Sequence, residues 1–298
     1  MLNGIINIYK EAGFTSHDVV AKMRGICGQK KIGHTGTLDP QATGVLPVCL
    51  GNGTRLCDLL TDKDKEYVAE LLLGTVTDTQ DTTGEILQNL PVTVKEEEVR
   101  EAILSFVGEY DQVPPMYSAL KVNGKKLYEL AREGKEVERK ARRVKISEIE
   151  ILEMRLPVVR MRVACSKGTY IRTLCADIGE KLKCGGTMQS LLRTRVGGFT
   201  LENAITLGAL QKLRDAGELQ KAVLPVDMVF AELGALHIAE KWQKLLENGN
   251  ALYPNQTVEK DVYPAGEWVK IYRVDGSFAG VYTYDAERKW YKPVKMFL

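Results

Sequence analysis

The run Gly33-His34-Thr35-Gly36-Thr37-Leu38-Asp39-Pro40-Gln41-Ala42-Thr43-Gly44-Val45-Leu46-Pro47 constrains this chain more than any other stretch, because it has neither helical nor strand periodicity. It places three glycines, two prolines, one histidine and one carboxylate in a single segment. Glycine admits positive φ and the close approach of a ligand. Pro40 directs Asp39 towards an extended conformation and removes a donor from the position that follows. The expected product is a stiff, shaped loop that presents one carboxylate, Asp39.

The 298 residues suffice for one large and one small domain with a substantial core. Apolar residues make up 44% and charged residues 27%, an ordinary globular composition. No apolar run approaches the ~20 residues of a membrane span. Residues 1–10 lack the basic flank and long apolar region of a secretory signal, so a cytoplasmic protein is expected. None of the six cysteines forms a C-x-x-C pair and the three histidines are scattered, so free, mostly buried thiols are expected and no metal. The formal charge is +2, yet between Glu138 and Arg172 ten basic residues face four acids. Such a cluster reads as a solvated face or as an electrostatic footprint for nucleic acid.

Periodicity places several elements. Ser16 is expected to cap a helix carrying Val19, Val20, Met23, Ile26 and Cys27. Residues 65–73 alternate, with Tyr67, Ala69, Leu71 and Leu73 on one face, which predicts a strand. Thr93 and Glu96 form a capping-box pattern ahead of a helix with Val99, Ile103 and Phe106. Val144, Ile146, Ile149 and Ile151 belong to an extended stretch, and residues 159–166 alternate with Arg160 and Arg162 outward. Lys167-Gly168 turns the chain, Thr169 is expected to cap, and Ile171, Leu174, Cys175, Ile178 and Leu182 mark a helix. Arg172 then lies in its first turn, rigidly held and facing outward. After Pro225 the texture changes. A short helix around Ile238, Trp242, Leu245 and Leu246 precedes a hairpin, Trp268–Val274 and Phe278–Tyr284, with a type I′ turn at Asp275-Gly276. Residues 289–296 supply a last strand. The expected division is 1–230 and 231–298. Strands and helices segregate irregularly, which predicts an α+β class.

Beside the 33–47 run stand five further stretches: Lys10–Ser16, Lys65-Glu66-Tyr67, Gly74–Gly84, Val113–Lys121 and Gly168–Leu174. Together they resemble, in order, the motifs of the TruB family of tRNA pseudouridine synthases across nearly all of residues 1–227. The resemblance implies a large mixed, mainly antiparallel sheet flanked by helices, and a small β-rich PUA-like C-terminal domain. It implies isomerisation of uridine to pseudouridine at position 55 in the T loop of tRNA, without a cofactor, by a monomeric chain. Asp39 is the implied catalytic carboxylate, Arg172 its partner, and Tyr67 the aromatic that stacks on the displaced base. His34 is the implied wedge that fills the space left by the flipped nucleotide. Lys10, Ser16, Gly36, Thr37, Asp81, Lys121, Lys167, Tyr170 and Leu191 are expected to line the RNA cleft, with Lys30, Lys31, Arg142 and Arg143 meeting phosphates. The T arm is the implied partner, with the acceptor stem gripped by the C-terminal domain and no membrane involved.

The chemistry is consistent with these residue types. Detaching uracil from C1′ and rejoining it through C5 neither oxidises nor hydrolyses anything, so an ionised carboxylate in a water-poor pocket is the main requirement. Desolvation disfavours that charge, and a bidentate guanidinium offsets it better than an ammonium. Whether Asp39 attacks C1′, adds to the base or removes a sugar proton stays open. So does a module that binds or folds tRNA without altering it.

Overall fold

The computed structural model describes residues 1–122 and 124–298. The chain opens with β1 (Gly4–Lys10) and α1 (Ser16–Cys27), whose Val19, Val20, Met23 and Ile26 are buried at the predicted helical spacing. Thr15, not Ser16, caps α1: its hydroxyl accepts from the Asp18 N–H at 3.0 Å, and the Asp18 carboxylate accepts from the Thr15 N–H at 2.8 Å. Ser16 is buried and turned to another task, described below. Next come β2 (Ile32–His34), β3 (Thr43–Leu50), α2 (Cys57–Thr61), β4 (Lys65–Leu73), β5 (Thr75–Thr77) and β6 (Ile86–Asn89). In β4 the predicted alternation is complete, with Tyr67, Ala69, Leu71 and Leu73 buried.

The middle of the chain forms α3 (Glu96–Leu104), β7 (Gly108–Gln112), β8 (Lys121–Val122), β9 (Lys125–Lys126), α4 (Leu127–Arg132), β10 (Arg142–Arg155), β11 (Val158–Cys165) and α5 (Ile171–Lys181). Two caps differ from expectation. The Glu98 carboxylate accepts from the Lys95 N–H at 2.7 Å, so α3 starts two residues after the Thr93 pattern and Phe106 lies beyond its end. Tyr170 precedes α5, while the Thr169 hydroxyl donates to the Ser166 carbonyl at 3.0 Å instead of capping. Then follow β12 (Gly186–Val196), β13 (Phe199–Thr200), α6 (Leu207–Asp215), β14 (Ala235–His237), α7 (Gln243–Glu247), β15 (Trp268–Tyr272), β16 (Phe278–Asp285) and β17 (Trp290–Met296).

The large sheet runs β1-β3-β12-β4-β11-β10-β7, with β2 on β3 and β13 on β12. β12 and β3 pair in parallel, Leu192 with Thr43 and Arg193 with Gly44, and the remaining described pairs are antiparallel. This is the mixed, mainly antiparallel α+β architecture expected. A Cβ on Gly44 would come within 2.1 Å of the Arg193 carbonyl oxygen, and its φ is +106°, so only glycine lets β3 approach β12 here.

Three apolar clusters fill the domain. The inward face of β4 and β11 packs on α3 and α5. Ile6, Ile8, Leu46, Val48 and Leu50 of β1 and β3 pack on α1 and α6. The opposite face of the same two strands, Ile5, Val45 and Cys49, packs on Phe230, Val281 and Phe297. The last cluster ties the C-terminal sheet β14-β15-β16-β17 to the back of the strand that leaves the 33–47 loop. Phe278 and Phe297 stack with centroids 5.4 Å apart, and Phe230 lies 5.9 Å and 6.1 Å from them. Arg55 Nη1 donates to the Met296 carbonyl at 2.6 Å, and Tyr272 Oη to Asp227 Oδ2 at 2.8 Å.

The β15–β16 hairpin is real but its turn is not type I′. Arg273 N donates to Ser277 O at 2.8 Å and Gly276 N to Arg273 O at 3.0 Å, enclosing a three-residue loop with left-handed Gly276 at φ +78°. Asp275 keeps a negative φ, because its carboxylate accepts from the Ser277 N–H at 2.9 Å. Phe297→Ala should remove about 3 kcal/mol of stability and lower the melting temperature of the whole chain in one transition, because the cluster it leaves is shared by both sheets; differential scanning calorimetry reads this directly.

Candidate active site

The 35–42 loop is held by side chains brought from outside it. Lys10 is buried at the end of β1, and its Nζ donates to the carbonyls of Phe14 (2.6 Å), Pro40 (3.0 Å) and Glu11 (3.1 Å). The Gly13 N–H reaches the same Pro40 carbonyl at 2.9 Å. The Ser16 hydroxyl accepts from the Leu38 N–H at 2.9 Å. Leu38 and Pro40 flank Asp39, so the Lys10–Ser16 motif clamps the chain on both sides of the carboxylate. On the other side of the loop, fully buried Arg193 of β12 donates to the carbonyls of Val45 (2.7 Å), Gly36 (3.3 Å) and Thr37 (3.5 Å).

Asp39 leaves this clamp as a side chain 37% exposed, set against an Arg172 side chain that is 6% exposed. Arg172 Nε reaches Asp39 Oδ2 at 2.9 Å and Nη2 reaches Oδ1 at 3.3 Å, a side-on, two-point pairing. The remaining donors go to Tyr117 O (2.8 Å) and Thr79 O (3.0 Å), with Asp81 Oδ2 at 3.6 Å. One guanidinium thus ties together α5, the 35–42 loop, the 79–81 turn and the 117 segment. It is inward-facing, contrary to the outward placement expected from helix phase, because its partners cover it. Burial pushes the Asp39 carboxyl up, and Arg172 and Lys10 pull it down; with Asp81 adding to the rise, the net direction is up from the usual aspartate value. The pairing reduces the desolvation cost without cancelling it.

Beside this pair stands Tyr67 of β4, directly opposite Arg193 of β12. Burial pushes the Tyr67 hydroxyl up to about 12, so it stays protonated at neutral pH. Leu191 pairs with Ala69 two residues along, half-buried on the same face. The loop brings a carboxylate held by a guanidinium beside the strands that carry a protonated phenol and an apolar flank, a set suited to a planar, neutral ring that carries charge only transiently.

Comparison with known proteins decides the family. Residues 24–171 match the model of the TruB family pseudouridylate synthase N-terminal domain, and residues 172–231 that of the tRNA pseudouridylate synthase B C-terminal domain. The chain is 53% identical to the tRNA pseudouridine synthase B of Lachnoclostridium phytofermentans, covering 100% of both. It is 47% identical to that of Alkaliphilus oremlandii, over 99% of this chain and 98% of the relative. The chain belongs to the TruB family of pseudouridylate synthases. Among solved structures it resembles an H/ACA ribonucleoprotein bound to a substrate RNA containing 2'-deoxyuridine, with a TM-score of 0.73, 27% identity and coverage of 99% of this chain and 85% of that one. A Cbf5-Nop10-Gar1 complex gives 0.73 and 29% over the same shares.

Within this TruB-family fold the sequence-expected residues divide. Asp39, Arg172, Asp81, Tyr67 and Leu191 converge as described. Gly36 and exposed Thr37 form the loop tip, and Tyr170 sits half-buried with its N–H on Gln112 Oε1 at 2.8 Å. His34 ends β2 half-buried, edge-on to His17 at 6.5 Å, with its buried Nδ1 lacking a partner among the described residues. Lys121, Lys30, Lys31 and Arg142 are exposed. Lys10 and Ser16, expected to line the RNA cleft, are instead buried with their polar atoms spent on loop backbone. Burial lowers Lys10 to about 8 from 10.5, so the cost of its charge is relieved as pH rises between those values.

The basic cluster is also less positive than its sequence suggests. Arg162 pairs with Glu150 (2.7 Å), Glu148 (3.0 Å) and Glu66 (3.1 Å), Arg143 with Asp111 (2.8 Å) and Glu109 (3.3 Å), and Lys167 with Asp62 (2.8 Å). Each exposed pair contributes little to stability, but together they quench the field. Arg193 was missed, because its inward direction depends on the register of β12, which no local pattern marks. Arg172→Lys keeps one charge and loses the fork that meets four groups, so the single-turnover rate of pseudouridine formation should fall roughly a hundredfold; a rate near wild type would contradict the two-point pairing.

Proposed function

We propose that this chain isomerises uridine to pseudouridine at position 55 in the T loop of tRNA, with Asp39 as the catalytic carboxylate. The observation that carries this reading is the Asp39–Arg172 pair: an acid clamped on both sides, held side-on by a buried guanidinium, yet open to the cleft. That arrangement supplies a charged oxygen at a fixed position with few competing waters. Tyr67 stacks on the displaced uracil and Leu191 closes the apolar side of the pocket.

A uridine stacked within a folded T loop is out of reach, so the nucleotide must be extruded at a cost of a few kcal/mol. His34, beside the loop tip of Gly36 and Thr37, is placed to fill the vacated stack. Exposed Lys121, Lys30, Lys31 and Arg142 meet phosphates, so affinity falls as salt rises. Residues 1–230 act as the catalytic domain and 231–298 as a PUA-like unit that contacts the acceptor stem. The protein works as a cytoplasmic monomer.

Tritium release from 5-tritiated uridine in a T-arm stem-loop tests the assignment. Wild type should release tritium and Asp39→Asn should lose at least about a thousandfold in rate with binding retained. Equal release by both proteins would clear Asp39 of the chemistry.

A further inference from the structure

Gln112, the last residue of β7, is 1% exposed at the edge of the large sheet. It shares a strand face with Tyr110, while Glu109 and Asp111 point the other way, to Arg143. Both amide hydrogens and the amide oxygen of Gln112 have partners. The oxygen accepts from the Tyr170 N–H at 2.8 Å, and Nε2 donates to the Tyr170 carbonyl at 3.0 Å and to Tyr110 Oη. One side chain therefore takes both backbone groups of a single residue 58 positions further along the chain. The amide has one workable orientation, because reversing it would set donor against donor and acceptor against acceptor.

Packing alone does not call for this amide. An apolar side chain of equal volume fills a sheet edge without needing partners, whereas a buried amide is tolerated only where its groups are satisfied. What the amide adds is direction. One hydrogen bond lets a peptide swing about it; two fix its orientation as well as its position. Tyr170 is where orientation counts, since it opens α5 and no side chain caps that helix, Thr169 being turned to the Ser166 carbonyl. The Tyr170 carbonyl also accepts from the Leu174 N–H at 3.0 Å, so the Gln112 grip and the first turn of α5 share an oxygen. Arg172 is the second residue of that helix.

We infer that Gln112 is a positioning residue for the uridine reaction: by gripping the Tyr170 peptide it sets the first turn of α5, and with it the place where the Arg172 guanidinium meets Asp39. This rests on the uridine isomerisation proposed above. The Arg172 fork reaches Asp39 at 2.9 Å and 3.3 Å and also serves the Thr79 and Tyr117 carbonyls, so it has little room to follow a tilted helix. A misplacement of about 1 Å at such a site can cost about a hundredfold in rate.

The test uses full-length protein with Gln112→Met, which fills the volume without either bond, and Gln112→Asn, which is one methylene too short to keep both. Each is made in the wild-type and Arg172→Lys backgrounds. Tritium release from a 5-tritiated T-arm RNA is followed in single turnover at saturating enzyme, so weaker binding does not enter. Gln112→Met should lower the rate at least about tenfold in the wild-type background and less than about threefold where Arg172 is already lysine. The second readout is a carbon-13 titration of the Asp39 carboxyl, which Arg172 faces from α5, Lys10 from β1 and Asp81 from the 79–81 turn. Withdrawing Arg172 alone removes a cation from that set, so the Asp39 midpoint should rise by about one pH unit in both Gln112 variants. A residue that only fills the sheet edge would lower the melting temperature and leave that midpoint at its wild-type value. An unmoved midpoint, equal rate losses in both backgrounds, or unfolding of both variants at the assay temperature would each overturn the inference. If the midpoint rises while wild type itself releases no tritium, the proposed reaction fails and the placement of Arg172 by Gln112 stands.

Discussion

The two-point contact between Arg172 and Asp39 is the interaction on which the rest of the site depends. A carboxylate in this position is desolvated by the sheet behind it and pressed by Asp81 beside it, and both effects favour the neutral acid. Arg172 opposes them from an interior position that water scarcely reaches. Its donors also satisfy the carbonyls of Thr79 and Tyr117, so deleting it would leave two backbone acceptors and two acids without their common partner. An ammonium offers a single point of charge to that set, whereas a planar fork meets it in several directions at once. The helix that supplies Arg172 begins directly beyond β11, which fixes where the guanidinium can be.

Around this pair the loop is built on interior cations instead of its own hydrogen bonds. Lys10 and Arg193 are both buried, and both spend their donors on loop carbonyls. The 35–42 loop, between the end of β2 and the start of β3, has few internal partners, so carbonyls turned inward need donors from elsewhere. Long basic side chains reach them from β1 and β12 without requiring the loop to become regular. The arrangement lowers stability near neutral pH, since burial disfavours both charges, and it gains a backbone that does not relax when a substrate arrives.

Legibility in the sequence followed solvent exposure. β4 and β11 have one apolar and one polar face, and their alternation was plain; α1 and α5 likewise carried clear apolar stripes. β1 and β3 are buried on both faces, by α1 and α6 on one side and Phe230, Val281 and Phe297 on the other, so no period of two survives in Gly4–Lys10 or Thr43–Leu50. β12 was missed for a related reason, as its two irregular steps against β4 break the pattern. The caps at Thr15, Lys95 and Tyr170 show the limit of local signals: several polar residues at each start could cap, and packing of the first turn chose among them. At the site, Asp39, Arg172 and Tyr67 were legible through motif resemblance. Lys10 and Ser16 were read as RNA contacts because a basic residue and a hydroxyl near such a loop suit either role, and only their burial separates the two.

Asp39 is desolvated beyond what Arg172 compensates, which holds its carboxyl above the usual aspartate range. Its folded-state proton affinity then exceeds that of the unfolded chain, so burying the ion costs stability above that pKa and the cost is relieved as pH falls through it. The direct measurement is a carbon-13 titration of the Asp39 carboxyl in the free protein, assigned by comparison with Asp39→Asn. A midpoint above the ordinary aspartate value of 3.8 is expected. A midpoint at or below 3.8 would mean that Arg172 overcompensates burial and would contradict the dominance of desolvation.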